Sequence, residues 1–330
     1  MNMKKINIAV WGLGRHSTSR IIPALSCIEK LSIAGVCSRN PESVAKYALE
    51  FGCVGWTDSS EMLNNAEVDI VYIATPIGVH AEQAEQALKA GKHVWSEKPL
   101  TCNYEDTKFL VNLAKQNKKM LTEGFMFLHH PQFKKIQDCI KDKKYGRVHS
   151  IICRFGIPNM EKSGFRNDPK LCGGAFWDVA SYTVSAVLEL FPDENVDVLF
   201  AELIGRKNYK VDTEGRVLLR FSQGATAYLE WATGVAYKNE IDLWSDKNSI
   251  FTKKIFSKPE NYQPIYRIDD TKGNESLING LKSEQFIEMF RDYYLMYDSP
   301  LNINKESEKI MRRAKVMDQI VNISGYIIKN

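Results

Sequence analysis

Two glycines, Gly12 and Gly14, stand between the β-branched run at residues 6–11 and a helical pattern that begins at Ser17. A strand that turns on glycines straight into a helix leaves the first helical N–H groups unpaired, and these form a ready cradle for phosphate. The string Gly12-Leu13-Gly14-Arg15-His16-Ser17 therefore reads as a dinucleotide-binding turn. Gly12 permits the tight bend, Gly14 admits the pyrophosphate, and Ser17 is a small residue where a third glycine would let helix and sheet pack closely. Further strand patterns at 31–37, 68–74, 93–96 and 120–122 alternate with helical ones at 41–51, 80–90 and 104–116. This alternation predicts an α/β Rossmann domain, a doubly wound parallel sheet covered on both faces.

After residue 123 the period changes. Segments 148–155, 198–204, 214–221, 225–231, 240–245 and 249–256 read as strands. Ala225, Ala227, Leu229 and Trp231 alternate with Thr226, Tyr228 and Glu230, as in a mostly antiparallel sheet with one buried and one open face. Helices at 174–190, 283–294 and 307–323 are expected to pack on that sheet, with the polar stretch 259–279 as a surface excursion. A length of 330 residues suits two domains, a Rossmann domain over 1–123 and an α+β domain over 124–330. Trp231 and Trp244 are read as sheet packing rather than ligand stacking.

Charge and cysteine usage exclude several classes. Forty-four Lys and Arg against forty Asp and Glu leave +4 without a basic stripe, which argues against nucleic acid and anionic membrane but admits a small anionic ligand. No apolar run approaches the roughly 18 residues of a membrane span. Seven cysteines without a C-x-x-C pair disfavour a disulfide framework and a cysteine zinc site. Asn7 interrupts the only leader-like stretch, so reduced thiols and a cytoplasmic location are expected. The adjacent His129 and His130 point in different directions on any regular element and lack a paired carboxylate, so no metal is expected.

An NAD site calls for an acidic residue at the end of the second strand, where it binds the adenosine ribose. Here Cys37-Ser38-Arg39 occupies that place. A hydroxyl and a guanidinium suit a 2′-phosphate, which predicts NADP(H) over NAD(H). If Arg39 instead stacks on adenine from a solvated loop, both cofactors bind comparably. Ala74-Thr75-Pro76 with His80, and Glu97-Lys98-Pro99, fall at the carboxyl ends of further strands, the ligand-binding edge of an open α/β sheet.

With these residues in order, the chain resembles the Gfo/Idh/MocA family of NAD(P)-dependent oxidoreductases. The likeness continues through Gly124-Phe125-Met126-Phe127-Leu128-His129-His130-Pro131-Gln132 and through Gly173-Gly174-Ala175-Phe176-Trp177-Asp178-Val179-Ala180-Ser181-Tyr182. Cys172 and Ala180 stand where the family often has glycine, and Tyr182 stands at the position of its frequent catalytic histidine. Branches with tyrosine there act on sugars, nucleotide-linked sugars and dihydrodiols, and in them the tyrosine looks like the proton donor or acceptor. The resemblance implies cofactor contacts from Gly12, Leu13, Gly14, Arg15, His16, Ser38, Arg39, Thr75, Pro76, His80, Glu97 and Lys98, and a homodimer or homotetramer.

Hydride transfer to or from a secondary carbon makes or consumes an alkoxide, so a proton must move at the same oxygen. Tyr182 is the candidate for that proton, and Lys98 either favours its phenolate or hydrogen-bonds the substrate oxygen. Asp178, four residues before Tyr182, is assigned substrate hydroxyl binding or orientation of the pair. The expected reaction is NADP(H)-dependent oxidoreduction of a small sugar or nucleotide-sugar, at a secondary alcohol, ketone or anomeric carbon. A polyol or trans-dihydrodiol dehydrogenase is the enzymatic alternative. A cofactor-sensing regulatory protein is the non-enzymatic one, although such proteins need not retain the lysine and the proton-transfer residue.

Overall fold

The computed structural model describes residues 5–142, 145–158, 164–297 and 299–329. Residues 159–163 of the loop between the first strand of the second sheet and the 174–190 helix lie outside that set. The chain divides into two compact units, residues 1–124 with 286–314 and residues 125–285 with 315–330.

In the first unit β1 (Ile6–Trp11), β2 (Leu31–Cys37), β3 (Val54–Trp56), β4 (Ile70–Ile73), β5 (His93–Ser96) and β6 (Leu121–Glu123) form one parallel sheet in the order β3-β2-β1-β4-β5-β6. The helices between them are α1 (Ile22–Ser26), α2 (Pro41–Phe51), α3 (Ser59–Asn64), α4 (His80–Lys89) and α5 (Tyr104–Gln116). Local chemistry sets their ends. Asn40 accepts from the Ser43 N–H at 3.0 Å to cap α2, Pro41 follows at its first turn, and Gly52 closes it in the left-handed conformation. The strand order reverses between β2 and β4 on either side of β1, and the crevice at that switch is where a doubly wound sheet takes its ligand.

The second unit opens with α6 (Met126–His129) and α7 (Pro131–Lys141), followed by β7 (Val148–Ile157) and α8 (Ser181–Leu190). Seven strands come next: β8 (Val196–Arg206), β9 (Asp212–Phe221), β10 (Thr226–Thr233), β11 (Lys238–Ser245), β12 (Asn248–Lys253), β13 (Ile265–Asp270) and β14 (Glu275–Asn279). The chain ends with α9 (Gln285–Met296), α10 (Pro300–Ile323) and β15 (Gly325–Lys329). The nine strands run β14-β13-β12-β11-β7-β10-β9-β8-β15, parallel only at β7/β10 and β8/β15. Ala227, Leu229 and Trp231 are buried, and the alternate residues of β10 are partly exposed. Across the exposed side Glu240, Arg154, Glu230, Arg216 and Glu202 meet in register on five neighbouring strands. The partly exposed pairs among them, Arg154–Glu230 and Arg216–Glu202, contribute about 0.2–1 kcal/mol each and mainly hold the register. Trp231 is core as expected, whereas Trp244 is 61% exposed beside the His149 ring.

Several expectations are corrected. The helix expected at 283–294 does not pack on the second sheet: Phe290 of α9 lies 6.0 Å from Trp95 and 5.6 Å from Tyr72, both on the first sheet. Its apolar face was readable, but its destination depended on those rings. The cores also divide α10, with Ile310 in the first and Val316, Met317 and Ile320 in the second. The stretch 259–279 holds two edge strands, β13 and β14, whose exposure explains their polar composition. Cys27, Cys37, Cys53, Cys139 and Cys153 are free thiols, whereas Cys102 and Cys172 are not. Finally, Pro169–Leu190 is long and apolar enough to span a membrane by composition, but 72% of that window is buried inside the protein.

Candidate active site

The turn after β1 is built by close approach. Gly12 has φ +113°, and a Cβ there would lie 2.8 Å from the carbonyl atoms of Ala74 at the end of β4, so only glycine fits where the two strand ends converge. Gly14 has nothing within 4 Å of its would-be Cβ, leaving an open backbone surface. The buried Ser17 hydroxyl lies 2.7 Å from the Gly12 carbonyl and 2.9 Å from that of Gly14, so it clasps the turn rather than merely fitting behind it. A π-type turn, Ser17–Ile21, then leads into α1. Leu13 is half-buried, Arg15 and His16 are exposed, and this open cradle fits the pyrophosphate of a dinucleotide.

At the end of β2, the Ser38 N–H donates to the Trp56 carbonyl at 3.1 Å, which fixes the backbone beside β3. Ser38 is half-buried and Arg39 is exposed.

The turn after β5 is braced from several sides. Glu97 accepts from the Tyr72 hydroxyl at 2.7 Å and pairs with His16 Nε2 at 3.1 Å through the same oxygen, joining this turn to the glycine-rich one. Burial pushes the Glu97 carboxyl up, but His16, the two hydrogen bonds and the Lys98 charge outweigh it and hold the group below the usual carboxylate range. Lys98 is buried at 8% exposure, and the Lys98-Pro99 bond is cis. Just beyond, the Leu100 N–H donates to Glu123 at 2.8 Å, and Glu123 is held in turn by Arg313 of α10. His80 is buried, with Nδ1 3.0 Å from the Pro99 carbonyl and Nε2 2.8 Å from the Thr75 carbonyl. Both ring nitrogens face backbone carbonyls, and the one that carries the proton donates, so the ring ties the half-buried Thr75-Pro76 turn to the one carrying Lys98. Burial drives the His80 pKa down.

In the second unit Tyr182 sits in the first turn of α8. Its ring is enclosed by Phe125 at 5.8 Å, Phe127 at 5.8 Å, Phe155 at 5.2 Å and Phe256 at 6.0 Å, and its hydroxyl lies 3.8 Å from Met126 Sδ. The half-exposed phenol is thus held in place by apolar walls. Asp178 rides on the π-type turn Phe176–Ala180 that precedes α8, and its carboxylate accepts from Arg166 Nε at 2.6 Å. Asp212 at the start of β9 accepts from the Phe176 N–H at 2.7 Å. The sequence reading missed both partners, because nothing local marks an arginine 12 residues upstream or a carboxylate 36 residues downstream as neighbours of this turn. Arg166, Asp178, Asp212 and Tyr209 line a small cavity of about 40 Å³. The His129-His130 pair has a structural use at its second member, whose Nδ1 accepts from the Gln132 N–H at 2.9 Å to cap α7.

Residues 6–125 match a family model described as an oxidoreductase family with an NAD-binding Rossmann fold, and residues 133–251 match the GFO/IDH/MocA C-terminal domain. The chain is 30% identical over 81% of its length, and 80% of the other, to dTDP-3,4-didehydro-2,6-dideoxy-alpha-D-glucose 3-reductase of Saccharopolyspora spinosa. To the enzyme of that description from Actinomadura kijaniata it is 28% identical, covering 97% of this chain and 96% of the other. A solved 3-ketoreductase from Actinomadura kijaniata, in complex with NADP and TDP-benzene, superposes with a TM-score of 0.93 at 26% identity over 99% of this chain and 100% of that one.

Proposed function

The chain belongs to the Gfo/Idh/MocA family of oxidoreductases, and from that premise we propose that it is an NADP(H)-dependent ketoreductase of nucleotide-linked sugars, with Lys98 and Tyr182 serving the proton transfer. The observation that carries this reading is similarity along nearly the whole chain to relatives that share one reaction, reduction at C3 of a dTDP-linked keto-deoxysugar. When bound, NADPH supplies the hydride that reduces the carbonyl carbon. Gly12, Gly14 and the N–H groups around Ser17 hold the pyrophosphate, and Ser38 and Arg39 take the 2′-phosphate. Tyr182 gives its proton to the carbonyl oxygen as negative charge develops there. Lys98 carries an ammonium that stabilises that charge or favours the phenolate afterwards.

Mixing the protein with NADPH and a dTDP-linked 3-keto sugar or a free aldose, or with NADP and a cyclic polyol or a trans-dihydrodiol, and following NADPH absorbance, tests the substrate class. Turnover fastest with the nucleotide-linked ketone is the expected result. Equal or faster turnover of polyols or dihydrodiols with NADP overturns it, and no turnover of any class, with cofactor still bound, favours a sensor.

Cofactor choice is separately testable. Charge-assisted hydrogen bonds contribute about 1.5–3 kcal/mol, so Arg39→Ala should weaken NADPH binding about 10- to 100-fold and leave NADH binding nearly unchanged. Equal loss for the two cofactors in a binding titration would show that Arg39 stacks on adenine instead.

A further inference from the structure

The helical segment that carries Asp178 and Tyr182 begins without a cap of its own. The residue before it, Ala175, is in the right-handed helical conformation and offers no side chain to the first N–H groups. Most helix starts are served by a Ser, Thr, Asp or Asn immediately upstream. Here the acceptor comes from another element: Asp212, the first residue of β9, reaches the Phe176 N–H at 2.7 Å in a fully buried contact. Gly174, at φ +116°, makes room for it, since a Cβ there would collide with Asp212 Oδ1. We propose that Asp212 is a positioning residue, whose carboxylate fixes the start of the segment leading into α8 and thereby the placement of Asp178 and Tyr182.

Burial pushes the Asp212 pKa up to about 7, against the downward pull of the Phe176 N–H. The folded protein therefore bears a cost to keep the group ionised, a pattern typical of functional sites. As the pH falls through about 7 the carboxylate gains a proton and its hold on the Phe176 N–H weakens. The charged and titratable groups around it are Arg166, Asp178 and Tyr209, which line the same cavity, and Tyr326 of β15, which its charge affects.

The inference rests on Tyr182 as the proton donor, so the test uses two independent readouts on the full chain. Asp212→Ala removes the acceptor, and Asp212→Asn keeps an oxygen for the N–H but abolishes the titration. Loss of this one hydrogen bond should speed hydrogen exchange of the Phe176 amide about tenfold in Asp212→Ala but little in Asp212→Asn. Ketone reduction should fall about tenfold or more in kcat for Asp212→Ala, with NADPH affinity unchanged. In Asp212→Asn, whose neutral oxygen matches the protonated carboxyl, kcat should sit near the parent's acid-side level at every pH and show no acid-side decline of its own. Unchanged amide exchange in Asp212→Ala, or faster exchange with kcat unaltered, overturns the proposal. If Asp212→Ala does not fold, the pH profile of Asp212→Asn decides, and an acid limb identical to the parent's counts against it. Failure of the Tyr182 assignment appears instead as full activity in Tyr182→Phe, which leaves the exchange result unaffected.

Discussion

Tyr182→Phe is expected to lower the turnover of ketone reduction about 10²- to 10⁴-fold while leaving NADPH affinity nearly intact, the scale of a lost general acid. The substitution is unusually clean because four phenylalanines surround the ring, Phe125, Phe127, Phe155 and Phe256. Phenylalanine fills the same space against them, and the change removes only the hydroxyl. A structural effect is therefore expected to be small, and a change in kcat reports chemistry. An unchanged KM with a reduced kcat would place the hydroxyl's contribution in the transition state; a raised KM with kcat unaltered would assign it to substrate binding alone.

The second large effect concerns stability. Arg313 Nε donates to Glu123 Oε2 at 2.8 Å, with the two side chains only 5% and 6% exposed. Removing one partner of such a pair strands the other's charge in a poorly solvated place, which costs about 3–5 kcal/mol. Arg313→Ala should therefore lower the urea midpoint of unfolding by that equivalent. Arg313→Met combined with Glu123→Gln should recover part of the loss, since the more deeply buried carboxylate no longer carries a bare charge and the Leu100 N–H still finds an oxygen. A loss below about 1 kcal/mol in Arg313→Ala would show that water reaches the carboxylates of Glu123 and of Glu306, 3.4 Å from Arg313 Nη2, and compensates. Because Glu123 also holds the backbone just after Lys98, the same variant should reduce turnover.

What could be read in the sequence follows the distance over which each contact forms. The glycine-rich turn and the alternation of β10 are local, and the two-sheet α/β architecture follows from such patterns. The helix α9 was visible as an apolar stripe, but only Trp95 and Tyr72 decide which sheet it covers. Contacts that shape the candidate site span far longer separations: 36 residues for Phe176 to Asp212, 81 for His16 to Glu97 and 190 for Glu123 to Arg313. No periodicity announces such pairs. His80 illustrates the same limit, since no local pattern announces that its ring nitrogens lie 3.0 and 2.8 Å from the Pro99 and Thr75 carbonyls.

The central claim, that Lys98 and Tyr182 act together in one proton-transfer step of an NADPH-dependent reduction, is tested most directly by single-turnover kinetics on Lys98→Ala, Tyr182→Phe and the double variant, with a dTDP-linked 3-keto sugar. Groups that work as a unit are non-additive, so each single change should cost about a hundredfold or more and the double change little beyond the worse single one. Losses that simply multiply, or a near-normal rate in either single variant, would contradict it.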